Sequence, residues 1–193
     1  MIFSLFLTAG CQPSAKEKAQ QQKVEQQKIE QQKQDEQKRL QAQKRKEMEQ
    51  KKQAEAKENA LDVARSFVKH IYNEEYEAMK DLVYCPYSDK SRIQTDVDAM
   101  ELNSARVRGY MGHRAQRDGL QSYQASTRTT IQDISGNTAY FKVDYILNGN
   151  LIFTVEGMEM QRGQDGKWRV NTSSFNDKTW NKMDELDMLR NFE

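Results

Sequence analysis

Hydrophobic and polar positions divide the chain into stretches of different character. An apolar run, MIFSLFLTAG, opens the sequence, and a polar stretch without glycine or proline extends from Lys16 to Glu58. From Asn59 to about Gly112, apolar residues recur at three- and four-residue steps, which predicts amphipathic helices packed on a core. Beyond Asp118 the period shortens towards two, which predicts β-strands. Helices followed by strands indicate an α+β domain over residues 59–193.

Three helices are predicted before the strands. The first would be capped by Asn59 and bury one apolar face, made of Ala60, Ala64, Phe67, Val68, Ile71 and Tyr72. A second, short helix would start at Asn73 with an acidic first turn, end before Pro86 and turn these residues inward: Tyr76, Met79, Leu82 and Val83. A third would stop near Gly109 or Gly112, and its inward residues would be Ile93, Val97, Met100, Val107 and Met111.

Four antiparallel strands are predicted at residues 121–131, 138–147, 151–161 and 167–172. The second and third are joined by Asn148-Gly149, a pair that a two-residue hairpin favours. One apolar face of this sheet would pack on the helices, with Tyr145 in the core and Asp144 facing water. A last helix, residues 177–192, would either bury Trp180 and Leu189 in its own domain or bind a partner.

The polar stretch, residues 16–58, predicts a solvated helical stalk. Its Gln, Lys, Glu and Ala residues are good helix formers. A continuous helix from Lys16 to Asn59 would be about 66 Å long at 1.5 Å per residue. Gln-Gln-Lys units repeat every five residues, which advances about 140° around a helix. Val24 and Ile29 therefore share no stripe, and the seam of a coiled coil is absent. A mild basic excess is consistent with a simple spacer or with contact to an anionic cell-wall polymer.

The opening run is too short to cross a bilayer, which takes about 20 apolar residues, but its length suits a secretory signal. The segment LTAGC, Leu7 to Cys11, resembles the lipobox of bacterial lipoproteins. This resemblance implies removal of residues 1–10, acylation of Cys11 and a lipidated N-terminus over residues 11–15. Gln12 stands where inner-membrane members of that class carry aspartate, which implies an outer-membrane lipoprotein facing the periplasm. A lipid bilayer is then the first partner.

The overall charge gives no argument for a nucleic-acid partner. Lysine and arginine total 30 and aspartate and glutamate total 29, so any electrostatic attraction has to be local. Secretion would also keep the protein away from nucleic acid. Charged residues make up 31% of the chain and the mean hydropathy is −1.00, so part of the chain lies outside any core.

Two further segments resemble a known superfamily. The segments FVKHIYNEEYEAMKDLV, from Phe67, and DGKWRVNTSSF, from Asp165, are similar to the nuclear transport factor two-like, cystatin-like domains, including small bacterial lipoproteins of unknown function. The resemblance implies a curved sheet wrapped around a helix, forming a cone with a pocket and closed by Trp168. Glu74-Glu75 stand where many members have Gly-Asp or Asn-Asp. Because this fold hosts isomerases, dehydratases and binding modules, it does not select a function.

The strongest candidate site is the basic segment RVRGYMGHRAQR, in which cations surround Tyr110. Arginine offers planar, bidentate contacts to phosphate, glycan carboxylate or an acidic partner surface. The alternative is that these charges only stabilise the C-terminus of a helix. The candidate anion- or partner-binding residues are Arg106, Arg108, His113, Arg114 and Arg117.

No catalytic residue, metal site or cofactor is predicted. His70 and His113 lack the spacing of metal ligands. A steroid-isomerase-like aspartate and tyrosine pair has its nearest candidates in Asp144 with Tyr110 or Tyr145, without a matching motif. Cys85 is expected to be a small buried hydrophobe, with an intermolecular disulfide or redox role as the alternative.

We therefore expect a membrane-anchored envelope lipoprotein that displays a small binding domain on a helical stalk. Its partners would be the bilayer, through Cys11, and a cell-wall polymer or an envelope protein. The alternatives are a pocket enzyme of the isomerase or dehydratase type and a structural or assembly factor of an envelope complex.

Overall fold

The computed structural model describes residues 15–86 and 90–190 of the chain. The chain divides into two compact units, Met1–Lys52 and Gln53–Glu193. The predicted signal over residues 1–10, the predicted lipid attachment at Cys11 and the end of the predicted last helix lie outside the described residues. The elements are α1 (Ala15–Tyr72), a 3-10 turn (Lys80–Leu82), β1 (Val83–Tyr84), α2 (Lys90–Arg117), β2 (Ala125–Ser135), β3 (Thr138–Leu147), β4 (Asn150–Arg162), β5 (Trp168–Asn171) and α3 (Thr172–Arg190).

Helix α1 begins in the polar stretch and continues into the apolar pattern. The helix start predicted at Asn59 is wrong, because Asn59 lies inside α1 between good helix formers, where one asparagine costs only about 0.7 kcal/mol. Within the unit Met1–Lys52, the apolar side chains of α1 are about half exposed or more, as expected for a solvated helix: Val24, Ile29, Leu40 and Met48.

The end of α1 is a Schellman motif, in which backbone amides beyond the helix bond to its last carbonyls. Glu75 N–H donates to His70 C=O over 2.8 Å, and Glu74 N–H donates to Ile71 C=O over 3.3 Å. Glu74 has the positive φ of 63° that this motif requires. The second helix predicted to start at Asn73 is therefore wrong, since Asn73 and Glu74 end one helix instead of beginning another.

The sheet has five strands in the order β1-β5-β4-β3-β2, so the predicted four-stranded antiparallel sheet is corrected. Four strands pair antiparallel, but β1 pairs parallel with β5 through Val83 with Val170 and Tyr84 with Asn171. β1 was missed because it has two residues and follows a helix-like apolar pattern. The hairpin between β3 and β4 has the predicted Asn148-Gly149 turn.

Bulges bend the central strands. The pairing of β2 with β3 shifts in register between Ile131 and Asp133. The pairing of β3 with β4 is also irregular at this level of the sheet. Gly157 in β4 has a φ of 70°, and its N–H donates to the Gln132 side chain over 2.9 Å. After this bulge the buried residues of β4 shift phase, from Phe153 and Val155 to Met158 and Met160.

The core lies between the apolar face of the sheet and the three helices. Phe67 of α1 meets Phe175 of α3 edge to face, with ring centroids 5.1 Å apart. Trp168 is buried, as predicted. α2 continues through Gly109 and Gly112 to Arg117, so its predicted end is wrong. The other buried core residues include Ala64, Val68, Met100, Val107, Met111, Phe141, Val143, Tyr145 and Val170.

Helix α3 follows β5 directly and starts five residues earlier than predicted. Met183 is buried, but Trp180 is 43% and Leu189 56% exposed, so their predicted burial is wrong. Their three-residue spacing explains this, because each step drifts about 60° around a helix. Met183 and Leu186 occupy the middle of that arc and face inward, while Trp180 and Leu189 lie at its two ends.

Candidate functional site

The basic segment predicted as a site lies on α2, and the structure divides its cations between two roles. Arg106 joins α2 to α3, because its guanidinium donates to Asp184 over 2.7 Å and to Asp187 over 2.9 Å. The same guanidinium lies 4.4 Å from the centroid of the Trp180 ring. Burial lowers the pKa of Arg106, but the two carboxylates outweigh it and raise the pKa above its ordinary value. Arg106 is therefore a permanent internal charge.

Arg108 also makes contacts within the domain. Its guanidinium pairs with Glu74 over 2.6 Å and donates to the Ser104 hydroxyl over 2.9 Å. Ser104 in turn donates to the Ile71 carbonyl over 2.9 Å. Arg108 thus fixes the end of α1 against α2, and neither Arg106 nor Arg108 shares the cleft formed by the other three predicted residues.

His113, Arg114 and Arg117 line a cleft of about 410 Å³, together with Tyr110 of the same helix. These positions are three, four and seven residues beyond Tyr110, so they share one face of α2. The opposite walls are apolar and consist of Ile152 of β4 and Leu186 and Leu189 of α3. Because α2 does not stop at its glycines, the basic residues form one wall instead of scattering along a loop.

Arg114 also donates from Nε to Asp118 over 3.2 Å, which sets the guanidinium at the end of α2. Tyr110 meets Phe153 edge to face, with ring centroids 5.6 Å apart, so a ring that lines the cleft also packs on the sheet. The cleft therefore places cations next to an aliphatic surface. An anionic group attached to an apolar group fits this arrangement.

A second cleft, also about 410 Å³, lies between β4 and α3. Thr154, Val155 and Glu156 form the strand side, and the helix side consists of Lys178, Asn181, Lys182 and Glu185. Lys182 pairs with Glu185 over 2.9 Å. No sequence pattern predicts this cleft, because its walls come together only through the placement of α3 beside β4. The alternating polar residues Thr154 and Glu156 indicated only that one face of β4 is not core.

The proposed aspartate and tyrosine pair is not assembled. Asp144 is 2% exposed, so the prediction that it faces water is wrong. It accepts hydrogen bonds from Arg128 over 2.9 Å and from Thr154 over 2.8 Å, on neighbouring strands. Tyr145 points to the opposite face, as successive strand residues do, and stacks on Phe153.

Burial raises the pKa of Tyr145. Burial disfavours ionisation of Asp144, but the hydrogen bonds from Arg128 and Thr154 outweigh it and hold its pKa below the ordinary value. Asp144 is thus an internal anion with its partners on the sheet, and it has no access to Tyr145. Asp144 and Tyr145 therefore do not form a carboxylate base beside a phenolic donor.

The remaining candidates are engaged in local contacts. Cys85 is only half-buried, although a buried residue was expected. Its thiol lies 3.6 Å from Asp96 Oδ2. Asp96 also accepts from Thr172 over 2.6 Å. His70 Nδ1 lies 2.6 Å from Glu75 Oε2. Residues 15–86 and 90–190 contain no cluster of three potential metal ligands, and no helix among them has the length and apolar character to span a bilayer.

No protein-family model, no curated protein and no solved structure matches this chain. The similarities to the lipobox and to the nuclear transport factor two-like domains therefore rest on the sequence segments quoted above.

Proposed function

We propose that this protein is a lipid-anchored bacterial envelope protein whose domain, Gln53–Glu193, binds a ligand that carries an anionic group beside an apolar group. The anchor is an acylated Cys11, and the site is the cleft between α2, β4 and α3. Sorting to the outer membrane, facing the periplasm, follows from Gln12. A cell-wall polymer or an envelope protein would be the partner that presents the ligand group.

The composition of the cleft carries this proposal. His113, Arg114 and Arg117 stand on one wall, and Ile152, Leu186 and Leu189 on the others. Guanidinium groups bind carboxylate or phosphate through paired, charge-assisted hydrogen bonds, and burial of apolar surface contributes about 25 cal/mol per Å². The volume of about 410 Å³ lies within the range of ligand sites.

Binding is favoured over catalysis by the chemistry of the lining. The described residues that line this cleft are cationic, phenolic, imidazole or aliphatic, with no carboxylate among them. A proton-abstracting isomerase of the kind considered above uses a carboxylate base. The one deeply buried carboxylate among the described residues, Asp144, is bound to Arg128 and Thr154 on the other face of the sheet.

Titration with dodecanoate tests the site, with dodecanol as the uncharged probe of equal length. The chain carrying Cys11→Ser should bind dodecanoate, and the double variant Arg114→Glu, Arg117→Glu should weaken binding about tenfold or more, since each charged hydrogen bond contributes about 1.5–3 kcal/mol. Arg65→Glu on α1 is the matched control and should leave binding unchanged. Equal affinity for dodecanol, or equal loss in the control, would contradict the proposed site.

The lipid anchor is tested separately by partition into detergent. The natural chain should enter the detergent phase with a mass increased by acyl groups, and Cys11→Ser should stay in the aqueous phase, because stable anchoring needs the attached chains. If Cys11→Ser still enters the detergent phase at an unmodified mass, another feature anchors the protein.

A further inference from the structure

Strand β4 is much longer than β5, the strand that pairs with one of its two edges. β5 pairs with β4 only at Met160, Gln161 and Arg162. In the described part of the chain, β4 from Asn150 to Met158 pairs with β3 alone, because the chain leaves the sheet after Asn171 and becomes α3. One edge of β4 therefore carries main-chain donors and acceptors that no strand of this domain pairs with.

Helix α3 runs antiparallel beside this edge. Lys178 packs over Gly157, and Leu186 and Leu189 share a cleft with Ile152. From Lys178 to Leu189 the helix rises about 16 Å at 1.5 Å per residue, and from Gly157 to Ile152 the strand spans about the same distance at 3.3 Å per residue. The two clefts, of about 410 Å³ each, follow one another along this length, and we call them together the β4–α3 groove.

Ile152 marks one end of the groove. The pairing of β3 with β4 shifts between Tyr145 and Ile146, which leaves Ile152 without a partner in β3. A bulge of this kind re-aims a side chain and is common next to binding sites. Here the Ile152 side chain lines the cationic cleft instead of joining a cross-strand pair.

The charges of the groove are unequal along its length. Near Gly157, Glu156 and Glu185 accompany Lys178 and Lys182, so this end is nearly balanced. Near Ile152, the lining is cationic and apolar, with His113, Arg114 and Arg117. A strand laid antiparallel to β4 runs from the balanced end towards the cationic end. Its C-terminal carboxylate therefore meets the arginines, and its last side chain meets the aliphatic wall.

We propose that the β4–α3 groove binds the extended C-terminal segment of a partner protein as an additional antiparallel strand on β4. About five residues fit in about 16 Å, and the last one is apolar. The free backbone edge, the groove length and the charge at one end together select this occupant. Main-chain hydrogen bonds supply affinity and the end group supplies polarity, as in other strand-addition complexes. The inference rests on the proposed function and names the ligand of that same site.

Three peptides test the inference against the Cys11→Ser chain in calorimetric titrations. The first is an acetylated five-residue peptide of alternating threonine and valine that ends in leucine with a free carboxylate. The second has the same sequence with a C-terminal amide, and the third is N-methylated at two alternate backbone positions. The free peptide should bind, and each modification should weaken binding about tenfold or more, by removing the charge-assisted contacts or two backbone bonds.

Two variants of neighbouring residues provide the matched control. Leu189→Glu places a carboxylate in the apolar wall and should abolish binding of the free peptide, whereas Met188→Glu should leave it unchanged. Both side chains are more than half exposed, so neither variant threatens folding, and only Leu189 lines the cleft.

The outcomes separate this inference from the proposed function. If dodecanoate binds and the free peptide does not, strand addition is wrong and the proposed function stands. Equal binding of the N-methylated and free peptides would also overturn strand addition, because only the end group would then be recognised. If neither dodecanoate nor peptide binds, both proposals are wrong.

Discussion

Replacement of Glu74 separates the energy of backbone strain from that of an ion pair. Glu74 occupies the left-handed position that ends α1, with a φ of 63°. Glycine adopts this conformation without penalty, whereas other L-residues pay about 1–2 kcal/mol. The Glu74 side chain pairs with Arg108 over 2.6 Å, but it is 60% exposed, so this pair contributes about 0–1 kcal/mol.

These two quantities set the expected order of three variants. Glu74→Ala loses the ion pair and keeps the strained backbone, so it should be less stable than the natural chain by up to about 1 kcal/mol. Glu74→Gly loses the same pair but relieves the strain, and should exceed Glu74→Ala by about 1 kcal/mol. Glu74→Gln keeps the length of the side chain without its charge, and should match Glu74→Ala if charge alone holds the pair.

Urea unfolding followed by tryptophan fluorescence is the appropriate assay, because both tryptophans lie in the unit Gln53–Glu193 and report on its unfolding alone. A difference of 1 kcal/mol also shifts the melting temperature by about 2–4 °C in a chain of this size. If Glu74→Gly proves no more stable than Glu74→Ala, the left-handed backbone at Glu74 carries no strain and the Schellman interpretation of this position is wrong.

Three other predictions concern burial, charge and the polar helix. Met183→Ala should lower the free energy of unfolding by about 2–5 kcal/mol, and Trp180→Ala should lower it by less than Met183→Ala does; equal losses would contradict the burial of α3. Asp144→Asn should destabilise the domain at pH 7, and its deficit should shrink as pH falls below 3.8, because the folded-state pKa of Asp144 is depressed and the natural chain loses this contribution on protonation; a deficit unchanged at pH 2 would contradict this. A peptide of residues 16–58 should show circular dichroism helicity independent of its concentration, whereas a concentration dependence would indicate self-association.

The sequence predicted the strands better than the ends of the helices. β3 begins and ends where alternation of Ala139, Phe141, Val143 and Tyr145 placed it, because one face of a half-buried strand must be apolar. Asp144 is an exception to this alternation, because it is a buried charged residue. It lies on the other face of the same strand, and its burial depends on Arg128 and Thr154 from two further strands, which no local pattern reveals.

The helix boundaries were predicted wrongly for a different reason. Asn73 followed by two glutamates matches the signature of a helix start, yet the same residues satisfy the carbonyls at the end of α1. Gly109 and Gly112 lie inside α2, where each glycine costs about 1 kcal/mol that tertiary packing offsets. Local propensities of this size are smaller than the burial energy of the helix face that carries them.

Only one wall of the candidate site could be predicted from the sequence, because the residues of the opposite wall lie far away along the chain. The sequence identified His113, Arg114 and Arg117 by charge and spacing alone. Their apolar counterparts, Leu186 and Leu189, follow more than 65 residues later and reach the cleft only because α3 lies beside α2. A local segment can therefore predict one wall of an interhelical cleft, whereas the opposite wall depends on topology.

The polar contacts of α3 explain why a groove exists between α3 and β4. Beyond Phe175, the polar contacts that hold α3 to other elements in the described part of the chain run to α2, through Asp184 and Asp187 with Arg106 and through Asn176 with Asn103 and the Asp96 carbonyl. Arg106 Nη1 and Asn103 Oδ1 are buried there without a protein partner among the described residues. Such an interface favours one helix position, because a shift would separate the largely buried Arg106 guanidinium from both of its carboxylate partners. Since these ion pairs hold α3 from the α2 side, its other side stands beside the unpaired edge of β4, where a strand can be added.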